Sequence, residues 1–210
     1  MAQGKTSTTK SVALIVSSVR PGRNGPKMAK LVTESIQKNL PTDVVLKVID
    51  LQDWNLPVFT ESEIPFTVKS WEDYSSETSR NWSREISSHD AYIFMVPEYN
   101  NSYAGSLKSA FDYLYNEWMN KPAMIVNYGA RPADMLFGGK HFRDILSIFQ
   151  MKLPANTPRI SISTMDREKT AAGEDLVFYD ANVEQQVRAD VSAAWEETLK
   201  HVLAPSPASA

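Results

Sequence analysis

Six consecutive apolar residues, Ala91-Tyr92-Ile93-Phe94-Met95-Val96, constrain this chain more than any other stretch. An unbroken apolar run of this length, bounded by turn residues, reads as a strand buried on both faces. Such strands occupy the middle of parallel sheets, with helices on either side. Pro97 is expected to end the ladder, because it has no N–H to donate. Further on, Leu107, Ala110, Phe111, Leu114 and Trp118 recur at helical spacing and predict a helix of about three to four turns. The intervening loop therefore lies at the carboxyl end of a central strand, where open α/β sheets bind ligands. It offers amides, aromatic rings and backbone, not acids or metal ligands. That suits a flat polar ligand.

The same strand–loop–helix pattern recurs along the chain. Val12-Ala13-Leu14-Ile15-Val16 reads as a buried strand, and Met28, Leu31, Val32 and Ile36 as the helix after it. The turn between them carries Ser17, Ser18, Arg20, Gly22, Arg23, Asn24 and Gly25. Hydroxyls, guanidinium groups and the free N–H groups of a helix start suit a phosphate. The turn has neither the Gly-Lys-Ser/Thr of a Walker loop nor the Gly-x-Gly-x-x-Gly of a dinucleotide fingerprint. Taken alone, it is equally well read as a connection with a cap.

A second strand is expected over 44–51, a helix over 78–88, a fourth strand over 123–127 and a fifth around Ile160 and Ile162. Phe142, Ile145, Leu146 and Phe149 mark one further helix, and the apolar stripe from Val187 to Val202 a final one over 183–202. Five alternations of strand and helix call for a parallel sheet of order 2-1-3-4-5 with helices on both faces. Its switch point brings the Ser18 loop and the Pro97 loop to one crevice, with the loop after Asn127 beside it. The long stretch 52–77 either lines a pocket or covers the sheet edge. Cover with a dimer contact is the preferred reading. Trp82, Trp118 and Trp195 are expected in the core or an interface, and His89 and His141 at the surface.

Composition narrows the function. The chain has 210 residues, 22 basic and 25 acidic, with no basic stripe of the kind nucleic acids require. With no cysteine and three scattered histidines, thiol catalysis is excluded and a structural zinc site is not expected. No apolar run reaches the ~20 residues that span a bilayer, and the first ten residues lack a signal-peptide core. A cytoplasmic protein is expected: one domain over 11–203, with disordered ends at 1–10 and 204–210.

A phosphate cradle, an aromatic and amide loop, and the glycines of the 128–139 loop together suit a flavin mononucleotide (FMN). Hydride chemistry then belongs to the cofactor, and no catalytic side chain is needed. Ser18-x-Arg20 with Asn24, and above all the run from Pro97-Glu98-Tyr99-Asn100-Asn101-Ser102 through Gly105, Leu107, Lys108, Ala110 and Asp112, resemble the NAD(P)H-dependent FMN reductase family. The resemblance extends over roughly 11–163. It implies a flavodoxin-like FMN-binding domain, usually homodimeric, that reduces flavins, quinones or azo compounds with NADH or NADPH by ping-pong hydride transfer at flavin N5. By the same resemblance, Ser18, Arg20 and Asn24 hold the phosphate. Pro97, Glu98, Tyr99 and Asn100, with the backbone around Tyr128 and Gly129, hold the ring system and ribityl chain; Glu98 is expected to be structural or dimer-facing.

One departure stands out. The family's short glycine-rich third loop is interrupted here by eight residues, Ala130-Arg131-Pro132-Ala133-Asp134-Met135-Leu136-Phe137, before Gly138-Gly139. They are expected to form a lid, a dimer contact or an obstruction, and Arg131 is a candidate for the NADPH phosphate. A flavin-bound redox sensor or partner-regulating protein with incidental turnover is the alternative reading. A one-electron carrier fits the mild net charge of -3 poorly.

Overall fold

The computed structural model describes residues 9–205, so most of both expected disordered ends lies outside the described residues. Lys10 already belongs to the first strand. The strands are β1 (Lys10–Val16), β2 (Val44–Asp50), β3 (Ala91–Tyr99), β4 (Ser102–Tyr103), β5 (Ala123–Gly129) and β6 (Arg159–Ser161). They lie in the order β2-β1-β3-β5-β6, all parallel, and β4 pairs antiparallel with the end of β3. Setting the two-residue β4 aside, this is the expected 2-1-3-4-5 order. The helices are α1 (Gly25–Ile36), α2 (Leu51–Trp54), α3 (Glu77–Ser87), α4 (Gly105–Asp112), α5 (Gly138–Ile148), α6 (Arg167–Ala172) and α7 (Ala181–Val202).

Alternation along the central strands divides the core in two. Tyr92, Phe94 and Val96 face one side with Trp82, Phe111, Trp118 and Phe142. Ile93 and Met95 face the other, with Met28, Val32, Val191 and Trp195 from α1 and α7. The first cluster is largely aromatic: Phe111 stacks on Trp118 with centroids 4.6 Å apart, and Phe94 meets Phe142 edge-on at 5.1 Å. All three of these tryptophans are fully buried in the core.

Four local expectations need correction. Pro97 does not end β3, which runs on to Tyr99 with Pro97 in register with Tyr128. β1 has already stopped at Val16 opposite Met95, so β3 is flanked on one side only at this point, where a proline is tolerated. The helix expected to reach Trp118 ends at Asp112. There, indole donors take the carbonyls that the next turn would use: Trp82 Nε1–H donates to Ala110 O at 2.7 Å and Trp118 Nε1–H to Phe111 O at 3.3 Å. His89 is buried, not superficial, held between Ser11 Oγ at 2.7 Å and Glu85 Oε1 at 3.0 Å. Ile162 falls just beyond β6, in a short 3₁₀ turn.

At the amino edge of the sheet, Lys121 Nζ donates to His89 O at 2.7 Å, Tyr92 Oη at 2.9 Å and Ile86 O at 3.3 Å. Burial pulls its pKa down to about 8, against the opposing pull of Asp90 and Glu117. Above that pH the unfolded chain holds more protons than the native one, so this group makes stability rise with pH. Urea midpoints should therefore increase between about pH 8 and 9.5 in the native sequence, and Lys121→Met should remove that increase. In the core, Trp118→Ala should cost about 3–5 kcal/mol in the same assay, since a large cavity opens beside Phe111.

Candidate functional site

Three strand ends meet at the carboxyl edge. After β1, Ser17 Oγ–H donates to Met95 O at 2.5 Å, while Ser106 Oγ–H returns to Ser17 O at 2.5 Å, tying the loop to β3 and α4. Gly22 has φ +68°, a conformation that favours glycine, and lets the chain turn back toward α1. Arg23 grips Asp50 with both nitrogens, at 2.6 and 2.7 Å, and also donates to Ser18 O at 2.6 Å. The hydrogen bond to Asp50 is the main reason its pKa is raised. Arg23 is thus saturated as a structural clamp. Arg20 is exposed and lies 5.3 Å from the Tyr99 ring centroid as a cation–π partner, which leaves its guanidinium edge for an anion.

The N-terminus of α1 is open. Asn24 stands at the N-cap position, but its side chain makes no capping bond, and the first turn contains no acidic residue. Gly25 is buried: a Cβ there would stand 2.2 Å from Ser18 Oγ, 2.8 Å from Val16 Cγ1 and 3.1 Å from Tyr128 Oη. The Ser18 and Tyr128 hydroxyls therefore converge on one point below the helix start. Both are buried, and neither has a partner of good hydrogen-bond geometry. Burial, the largest influence, drives the Tyr128 phenol far above its usual pKa, so it remains a donor; the Ser18 hydroxyl lies against the phenol and pulls its pKa down.

After β3 the chain reverses in a two-residue hairpin, with Tyr99 opposite Ser102. Asn100 and Asn101 have φ of 51° and 63°, the left-handed pair that a type I′ turn needs and that asparagine tolerates. Glu98 stands at the start of this hairpin. Its Oε2 accepts the N–H groups of Phe137 and Gly138 at 2.5 and 2.8 Å, so it caps α5 across the site. Its Oε1 is buried and unpartnered.

The eight-residue insertion folds back on the crevice. Leu136 is 2% exposed and covers Gly129, where a Cβ would lie 2.8 Å from Leu136 Cδ2 and 3.0 Å from Glu98 Cβ. The side of Gly129 that a Cβ would occupy is thus filled by a leucine wall that the insertion supplies. Arg131 is held by Asn101 Oδ1, and its own carbonyl accepts Ser161 Oγ–H at 2.7 Å. Met135 and Phe137 are exposed at the rim.

Among the described residues, the buried side-chain atoms without a partner belong to Ser18, Glu98, Asn127 and Tyr128. Every one of them lies at the carboxyl end of β1, β3 or β5. Unsatisfied buried polar groups are costly and rare, so their confinement to one edge marks a ligand site. Of the residues singled out from sequence, the structure brings Ser18, Arg20, Asn24, Pro97, Glu98, Tyr99, Asn100, Tyr128 and Gly129 to this edge. Sequence reading missed Gly25, whose role shows only through its contacts, and Asn127, which looks like one more strand residue.

The family model for NADPH-dependent FMN reductase matches residues 11–163. The chain belongs to that family. It is 39% identical over 120 residues to an NAD(P)H-dependent FMN reductase of Nectria sp, covering 57% of this chain and 60% of that protein. It is 37% identical over 123 residues to one from Saccharomyces cerevisiae, covering 56% of this chain and 64% of the relative. These two matches thus span less than two thirds of the relatives' length. A relative from Schizosaccharomyces pombe is 31% identical over 166 residues, covering 79% of this chain and 78% of its own. In fold, the chain is similar to the flavoenzyme NAD(P)H:acceptor oxidoreductase of Paracoccus denitrificans, with a TM-score of 0.65 at 20% identity over 91% of this chain and 98% of that one.

The residues present fit FMN at its phosphate end: two buried hydroxyl donors, an uncapped helix start and one unclamped arginine. Gly25→Ala should drive a methyl into that cradle. FMN affinity should fall at least about tenfold, or ~1.4 kcal/mol, by fluorescence titration. Circular dichroism should report an unchanged secondary structure.

Proposed function

We propose that this chain is an FMN-dependent oxidoreductase that uses NADPH or NADH to reduce a small quinone, azo-type or flavin acceptor. The observation that carries this reading is the pair of unpartnered donors, Ser18 and Tyr128, beneath the open start of α1. Bound FMN would supply hydride exchange in a ping-pong cycle. The protein's part is to bind, orient and shield.

Ser18, Tyr128 and the α1 N–H groups would hold the phosphate, with Arg20 closing over it from the solvent side. The Arg23–Asp50 clamp keeps the loop in shape and withholds the second arginine from the ligand. The left-handed Asn100–Asn101 turn and the ring of Tyr99 would border the flavin ring. Glu98 positions this border by capping α5 and carries no proton in the reaction. Leu136 and the exposed Phe137 would exclude water from the ring on the side of the insertion.

Val58, Ile64 and Phe66 are exposed along 52–77, and Met135 and Phe137 on the insertion. These apolar groups support a homodimer with the crevice near the subunit contact. No helix among the described residues is long and apolar enough to cross a membrane, and a cytoplasmic location is part of the proposal.

Purified protein mixed with FMN and then desalted should keep its visible flavin absorption and lose it under anaerobic NADPH or NADH. Steady-state NAD(P)H oxidation with a quinone should give parallel double-reciprocal lines. Protein that emerges colourless and inactive would refute the proposal.

A further inference from the structure

Beyond the insertion lies a cavity of about 290 Å³ that shares Asn127, Leu136 and Phe137 with the flavin edge and is further lined by Lys140, Arg143 and Arg159 among others. Its polar groups have a distinctive arrangement. Asn127 is fully buried; its Nδ2–H donates to Val96 O at 3.0 Å, while Oδ1 has no partner. An acceptor without a partner therefore lies buried at the floor of the cavity. Lys140 and Arg159 are exposed at its walls, and among the described residues neither side chain has an ion-pair or hydrogen-bond partner. Arg143 is occupied otherwise, donating to Pro154 O at 2.5 Å and Thr157 Oγ1 at 3.3 Å, and so fixes the far wall.

A ligand for this cavity must combine negative charge for two free cations with a neutral hydroxyl or amino donor for Asn127. A phosphorylated ribose has both, and the volume suits a sugar phosphate better than a whole dinucleotide. The cavity also adjoins the crevice, since Phe137 lines it while its N–H is held by Glu98 at the hairpin. Arg131, the earlier candidate for a phosphate contact, is instead held by Asn101. Arg159 also borders the neighbouring groove that contains Asp134, Asp190 and Glu197, so Lys140 is the cleaner probe.

We propose that the cavity between Asn127, Lys140 and Arg159 receives the 2′-phosphorylated ribose of NADPH and sets the preference for NADPH over NADH. The inference rests on the nicotinamide-dependent reading above. Its test does not require turnover.

Adenosine 2′,5′-bisphosphate, adenosine 5′-monophosphate and inorganic phosphate would be titrated calorimetrically into the full chain loaded with FMN. Lys140→Glu, Arg159→Glu and the double variant would be treated alike; both positions are exposed, so folding should be retained. The bisphosphate should bind at least about tenfold more tightly than the monophosphate, and the double variant should lose that margin. In turnover, the KM for NADPH should rise by a similar factor, with kcat and the KM for NADH unchanged. Equal binding of the two nucleotides, a preference that survives the double variant, or inorganic phosphate binding as tightly as the bisphosphate would each overturn the assignment. FMN retention and NADH oxidation, measured on the same preparations, report separately on the underlying function.

Discussion

The structure depends on β3 being buried on both faces. A strand that shows water no side can only lie between other strands and beneath two helix layers. β1 and β5 therefore flank it in parallel, and every connection must cross over through a helix. Parallel order aligns the carboxyl ends of β1, β3 and β5 at one edge. The loops that leave those ends meet there by necessity, whatever their sequences. Aromatic packing on one face, from Phe94 through Phe111 to Trp118, and aliphatic packing against α1 and α7 on the other, holds β3 in place.

The two edges of this sheet are finished differently. At the amino edge, polar groups satisfy one another: Lys10 with Asp90 at 2.9 Å, His89 with Ser11 and Glu85, Lys121 with two carbonyls and a phenol. At the carboxyl edge, four buried polar atoms have no partner in the protein. Core packing does not explain that asymmetry, since both edges border the same two clusters. It follows if the carboxyl edge is completed by a ligand whose oxygens and N–H groups supply the missing partners. The Arg23–Asp50 clamp fits the same account, because it spends a neighbouring cation on loop shape and leaves Arg20 unclamped.

Much of this was legible in the sequence, and the reasons are physical. Buried central strands give unbroken apolar runs, so strand order and the converging loops could be read from Val12–Val16 and Ala91–Val96. Ser18, Arg20 and the Tyr99–Asn100 loop stand out through the motif, whereas the hairpin that Asn100 and Asn101 close does not, because Pro97 reads as the end of the strand. What the sequence withheld was relational. That α4 stops at Asp112 depends on indole donors from Trp82 and Trp118, which no local propensity reports. That Arg23 clamps and Arg20 does not depends on Asp50, 27 residues further on. His89 looked superficial because a lone histidine before a strand carries no sign of Ser11 and Glu85. The insertion's fold-back of Leu136 over Gly129 likewise follows from Glu98 gripping Phe137 and Gly138, a contact that spans the site.

The central claim is that the unpartnered hydroxyls of Ser18 and Tyr128 exist to meet an anion at the start of α1. A crystal structure of the chain with FMN tests this most directly. The account predicts phosphate oxygens within hydrogen-bonding distance of Ser18 Oγ and Tyr128 Oη, with Arg20 turned from Tyr99 toward them and Arg23 still on Asp50. A flavin bound with its phosphate elsewhere, and those two hydroxyls still unpartnered, would contradict it.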